Sequence, residues 1–121
     1  MEDYSQTELV SALQLISSTI SKCEKMQEKF AEGTSQHSLL KNRIKALYIS
    51  KALIGNEGIA PYTQEELEKA LPPVVSIINK TEKAQMKYSE GTVQYKRFEP
   101  IIRAMYISKS YIMQELSKRV Q

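Results

Sequence analysis

Tryptophan is absent from this 121-residue chain, and cysteine and histidine occur once each. A lone Cys23 rules out an internal disulfide and fits a reducing compartment, with the cytoplasm as the expected location. A lone His37 leaves any zinc site short of the three or four ligands such a site needs. Glu-x-x-His is missing from both halves, so a di-iron centre of the helical-bundle type has no ligands. No cofactor is expected. Glycine is scarce, and the two Glu-Gly-Thr segments at Glu32 and Glu90 are accounted for as interhelical turns rather than phosphate loops. No apolar run approaches the roughly 20 residues that span a bilayer, so membrane insertion is not expected. The opening Met1-Glu2-Asp3-Tyr4 is acidic and runs straight into a helix signal, unlike a secretion signal. Charge of one sign is also lacking: 17 basic against 14 acidic residues give a net +3, milder than a dedicated nucleic-acid binder usually carries.

What the chain does have is itself, twice. Tyr4-Ser5-Gln6-Thr7-Glu8-Leu9 returns as Tyr62-Thr63-Gln64-Glu65-Glu66-Leu67, and Tyr48-Ile49-Ser50-Lys51 returns as Tyr106-Ile107-Ser108-Lys109, both at an offset of 58. About 25 of about 54 paired positions are identical without a gap, too many for chance. The repeats cover 4–58 and 62–116 within a single domain, 1–121. Each opens on a capping box, Ser5 with Glu8 and Thr63 with Glu66, and on a hydrophobic staple, Tyr4 with Leu9 and Tyr62 with Leu67.

Leu9, Leu13, Ile16, Ile20, Cys23 and Phe30 fall on one helical stripe that Gln27 interrupts, which predicts a helix from about Gln6 to about Ala31. Copy two repeats the stripe, with Gln85 as the interruption. Gly33 and Gly91 suit the left-handed residue that ends a helix, and Thr34 and Thr92 suit the caps of the next. The second helix carries Leu40, Ile44, Leu47, Tyr48 and Ile54, matched by Phe98, Ile102, Met105, Tyr106 and Ile112. Gly55 to Pro61 reads as the one linker. A lone hairpin would leave its stripe wet, so the two copies predict an all-α, up-down-up-down four-helix bundle with a pseudo-twofold axis. Pro72, Pro73 and Pro100 break the internal symmetry, and the pattern predicts a kinked third helix or two segments meeting at Pro72-Pro73.

No catalytic constellation emerges, and the chain reads as non-enzymatic. The expected function is contact with a protein partner or with itself, as a homodimer. Its surface would be helix faces carrying Tyr95, Tyr111, Arg97 and Arg103, residue types favoured in interfaces. Two alternatives stand beside it. One is nucleic-acid binding by the basic second and fourth helices, which carry Lys41, Arg43, Lys45, Arg97 and Arg103. The other is a small-ligand or anion site in which Lys51 and Lys109 flank a polar pocket with Ser50, Ser108, Tyr48 and Tyr106. For both lysines the simpler expectation is a stem lying on apolar surface with the amine in water.

Overall fold

The computed structural model describes residues 4–56 and 62–120. Ser5 caps α1 (Gln6–Gln27) and Thr63 caps α3 (Gln64–Gln85). In both, the hydroxyl accepts from the N3 amide while the N3 carboxylate accepts from the cap amide. These reciprocal bonds satisfy amide donors that a helix start otherwise leaves open. Thr34 caps α2 (Ser35–Gly55) and Thr92 caps a single turn, α4 (Val93–Lys96), each hydroxyl accepting from the N3 amide, of His37 and of Tyr95, without a reciprocal side-chain bond. The glycines before them, Gly33 at φ +88° and Gly91 at φ +89°, occupy the left-handed region where a Cβ would be strained. The last helix is α5 (Glu99–Val120).

α1 stops at Gln27, short of Ala31. Lys29 and Phe30 donate to carbonyls three residues back, the tighter 3₁₀ pattern. At this point the Gln27 side-chain amide reaches across the turn to the His37 carbonyl at 3.4 Å. Gln85 does the same to the Tyr95 carbonyl at 3.1 Å. The polar residues that interrupt both stripes therefore stitch the two turns.

Of the two forms expected at Pro72-Pro73, the one with two separate segments is not what forms. α3 runs unbroken through Pro72 and Pro73, although neither can donate to the carbonyl four residues back. The break falls just before Pro100, where α4 ends at Lys96 and α5 begins at Glu99, with Arg97 and Phe98 between them. Pro100 has no amide for the Lys96 carbonyl, whereas its counterpart Asn42 has one, and α2 is continuous there. Of the linker expected at Gly55–Pro61, only Gly55 and Asn56 lie within the described residues. Asn56 ends α2 in a left-handed conformation, φ 51°.

The four long helices form the expected antiparallel bundle, with each hairpin packed against the other. α2 and α5 also pack against one another across the diagonal, and α1 and α3 make no comparable contact. This flattening decides which residues are buried. α1 buries a narrow row, Ala12, Ile16 and Ile20. α2 faces three long neighbours and buries a broad band: Leu40, Ala46, Leu47, Ile49, Ser50 and Ile54. Leu47, Ile49, Leu67, Val74, Met105, Ile107 and Ile112 are sealed from water in the centre. Burying each such side chain stabilises the fold by roughly 1.5–3 kcal/mol before conformational entropy is subtracted. Tyr48 and Tyr106, expected on the inward stripe, lie on the surface instead, and Ile49 and Ile107 take the inward positions. No helix among the described residues is long and apolar enough to cross a membrane.

Candidate interaction surfaces

The Tyr-Ile-Ser-Lys block divides between core and surface. Ser50 and Ser108 are fully buried, and each hydroxyl donates to a carbonyl of its own helix, Ala46 or Ala104, at 2.9 Å. Tyr48 and Tyr106 point outward, and their hydroxyls donate to Glu24 (3.3 Å) and Glu82 (3.1 Å) of the partner helix in each hairpin. The Glu24 charge beside Tyr48, and the bond from Tyr106 to Glu82, hold both phenols above their ordinary range. Lys51 and Lys109 are half-buried. Lys109 lines a shallow surface depression with Tyr4, Tyr106 and Met113, and Lys51 does not line it. The block is thus taken apart: the serines bond within their helices, and the tyrosines brace each hairpin from outside.

The four residues expected at a partner surface also separate. Tyr111 packs against the core and stacks on Tyr4, ring centres 6.5 Å apart. Arg103 pairs with Glu8 and lies over the Tyr4 ring. Both serve to tie α1 to α5. Tyr95 is half-buried at the second turn, and Arg97 is exposed beside it.

Around the two turns, at one end of the bundle, large apolar side chains face water. Met86 is 80% exposed, Val93 66%, Met26 50%, Leu39 47% and Tyr88 44%. Tyr88 stacks on Phe98 at 6.0 Å. Periodicity placed Tyr88 on the copy-two stripe as the counterpart of Phe30, but it did not single out Met26, Leu39, Met86 or Val93, which lie off the stripes. The signal that does is the comparison between copies: Met86 stands where copy one has Glu28, and Val93 where it has Ser35.

Two grooves relate the copies to one another. Glu8 on α1 pairs with Arg103 on α5, and Glu66 on α3 pairs with Lys45 on α2 at 2.8 Å. Each partner is 58 positions from its equivalent, in opposite directions, as a twofold exchange of hairpins requires. The α1–α5 groove beside the first pair holds about 200 Å³. The α2–α3 groove beside the second holds about 800 Å³. The Lys45 hydrogen bond, helped by the Thr63 amide, pulls the Glu66 carboxyl down to about 2.

Cys23 is half-buried, and burial pushes its thiol up while the Arg43 charge opposes the shift. Two nitrogens of Arg43 are buried without a hydrogen-bond partner. Among the described residues, no three His, Cys, Asp or Glu side chains converge as metal ligands would. No family model, curated protein or solved structure matches this chain.

Proposed function

We propose that the protein is a non-enzymatic helical module that binds a protein partner or a second copy of itself through the turn end of the bundle. The observation that carries this reading is the group of water-facing apolar residues there, led by Met86 and Val93. Singly exposed apolar residues are ordinary, but several gathered at one end, with Tyr95 and Arg97 beside them, have the composition of a contact patch. Leaving such residues wet forgoes free energy that a partner recovers by covering them. The arrangement of basic residues supports a protein partner over nucleic acid. Lys45 is tied to Glu66, Arg103 to Glu8, and Arg43 turns two of its nitrogens inward, so the basic helices present no continuous row of open cations.

Sedimentation at micromolar concentration, with a pull-down from the native host, tests the reading. The wild-type chain is expected to self-associate or retain a protein. The Met86→Glu/Val93→Glu variant, its helicity unchanged by circular dichroism, is expected to do neither. A wild-type chain that stays strictly monomeric and retains no protein removes the reading.

A further inference from the structure

The duplication supplies an internal control for the groove between α2 and α3. Its counterpart between α1 and α5 is built from equivalent positions and holds about a quarter of the space, 200 against 800 Å³. The residues that differ explain the opening. Pro72 and Pro73 replace Gln14 and Leu15, so a compact ring stands at the position from which the longer Leu15 lines the smaller groove. Lys45 replaces the broad guanidinium of Arg103, and Asn42 replaces Pro100. Leu39 stands where copy two has Arg97 and places an exposed apolar side chain at the groove.

The floor of the opened groove is apolar and small. Ala46, Ile49 and Ala70 are buried there, and Pro72 and Pro73 line it. Three lysines line it as well. Lys45 is bound to Glu66, and Lys69 to Glu65 at 2.6 Å. Among the described residues, Lys41 is the one rim lysine with no carboxylate partner. From Lys41 to Ile49, α2 rises about 12 Å, the reach of a medium alkyl chain. A cleft of this volume, with an apolar strip bordered by Asn42, Thr63, Ser76, two ion pairs and Lys41, has room for a small molecule.

We infer that the α2–α3 groove binds an amphipathic monoanion, such as a medium-chain carboxylate, with its chain along Leu39, Pro72 and Pro73 above the buried Ala46, Ile49 and Ala70, and its charge at Lys41. Leu39 borders both this groove and the turn-end surface, but Met86 and Val93 do not line the groove, and the Met86→Glu/Val93→Glu variant retains it. Apolar burial supplies the affinity, and the open lysine supplies the preference for a negative head.

The test titrates decanoate, below its critical micelle concentration, into isotopically labelled full-length protein. The expected result is saturable shifts of the backbone amides of Lys41, Ala46, Ile49 and Ala70, with a rise in Tm. Lys41→Glu is expected to weaken decanoate roughly 2- to 5-fold, the scale of one exposed charge contact, and to leave decanol binding unchanged. Pro72→Gln/Pro73→Leu restores the copy-one residues. It is expected to raise Tm without ligand and to abolish the decanoate response, so loss of binding cannot be ascribed to loss of fold. Four results overturn the inference: no groove shifts at the highest monomeric concentration, shifts mapping to the turn end, equal affinity for decanol and decanoate in the wild type, or an undiminished response in the proline double variant. Shifts of the same amides on raising protein concentration alone also overturn it, because they assign the groove to a second copy.

Discussion

The Lys45 ammonium lies 2.8 Å from the Glu66 carboxylate, so the middle of α2 is tied to the first turn of α3. Glu66 is also the N3 residue of the α3 capping box, bound to the Thr63 amide at 3.0 Å. One carboxylate thus joins helix initiation to the packing of one hairpin on the other.

That double role makes stability depend on acid. Glu66 titrates at about 2 in the folded protein, below its ordinary 4.5. Its contribution is therefore fully present above about pH 4.5 and is lost as pH falls toward about 2. Glu8 and Glu65 are shifted the same way by Arg103 and Lys69, and add in the same direction. Thermal melts across this range should show Tm falling with pH in the wild type. A shallower fall is expected for Lys45→Met, which keeps the carboxylate but removes its main stabiliser. Parallel curves would show that the pair does not couple to folding. Salt should also weaken the effect, because both side chains are exposed.

Leu47 and Tyr48 are sequence neighbours with opposite fates, one sealed and one 43% exposed. Leu47→Ala should cost about 2–5 kcal/mol, the range for emptying a packed core position. Tyr48→Ala should cost about 0.5 kcal/mol, as surface changes do. Urea unfolding of both variants checks the register of α2; equal costs would contradict it.

Gln27 and Gln85 close their turns with side-chain bonds to backbone carbonyls. Gln85→Ala should destabilise by about 0.5–1.5 kcal/mol, the net value of one such bond. Gln27→Ala should cost less, since its bond is 3.4 Å rather than 3.1 Å. Denaturant midpoints of the two variants give the comparison, and a larger loss at Gln27 would refute the ranking.

Pro100→Asn should join α4 to α5. The expected sign is slower hydrogen exchange at the amides of residues 97–101 and a gain of about 1 kcal/mol or less, because proline is well tolerated in a first helical turn. An unchanged exchange pattern would place the cause of the break elsewhere.

Much of this fold could be read from the residues. The capping boxes, the glycine turns and the threonine caps are local devices, and their chemistry is complete within four or five positions. The stripes on α1 and α3 were legible because each faces one side of the core. The stripe on α2 was misread at Tyr48 because that helix touches three long neighbours, and a two-sided contact blurs the period. The role of Gln27 and Gln85 was hidden because the carbonyls they reach belong to the next helix. Pro72 and Pro73 were weighed as a kink. In the fold they line the α2–α3 groove, a place that needs the neighbouring helix to exist.

By itself the sequence determined the repeat, the helix starts, the turns and the need for two hairpins to share one core, because short-range hydrogen bonding and apolar periodicity specify these without knowledge of neighbours. Only the tertiary structure decided that α2 and α5 meet on the diagonal, that the serines of the repeated block go inward while its tyrosines go outward, and that one of two equivalent grooves stands open. Those outcomes depend on how side chains from different helices fill a common volume.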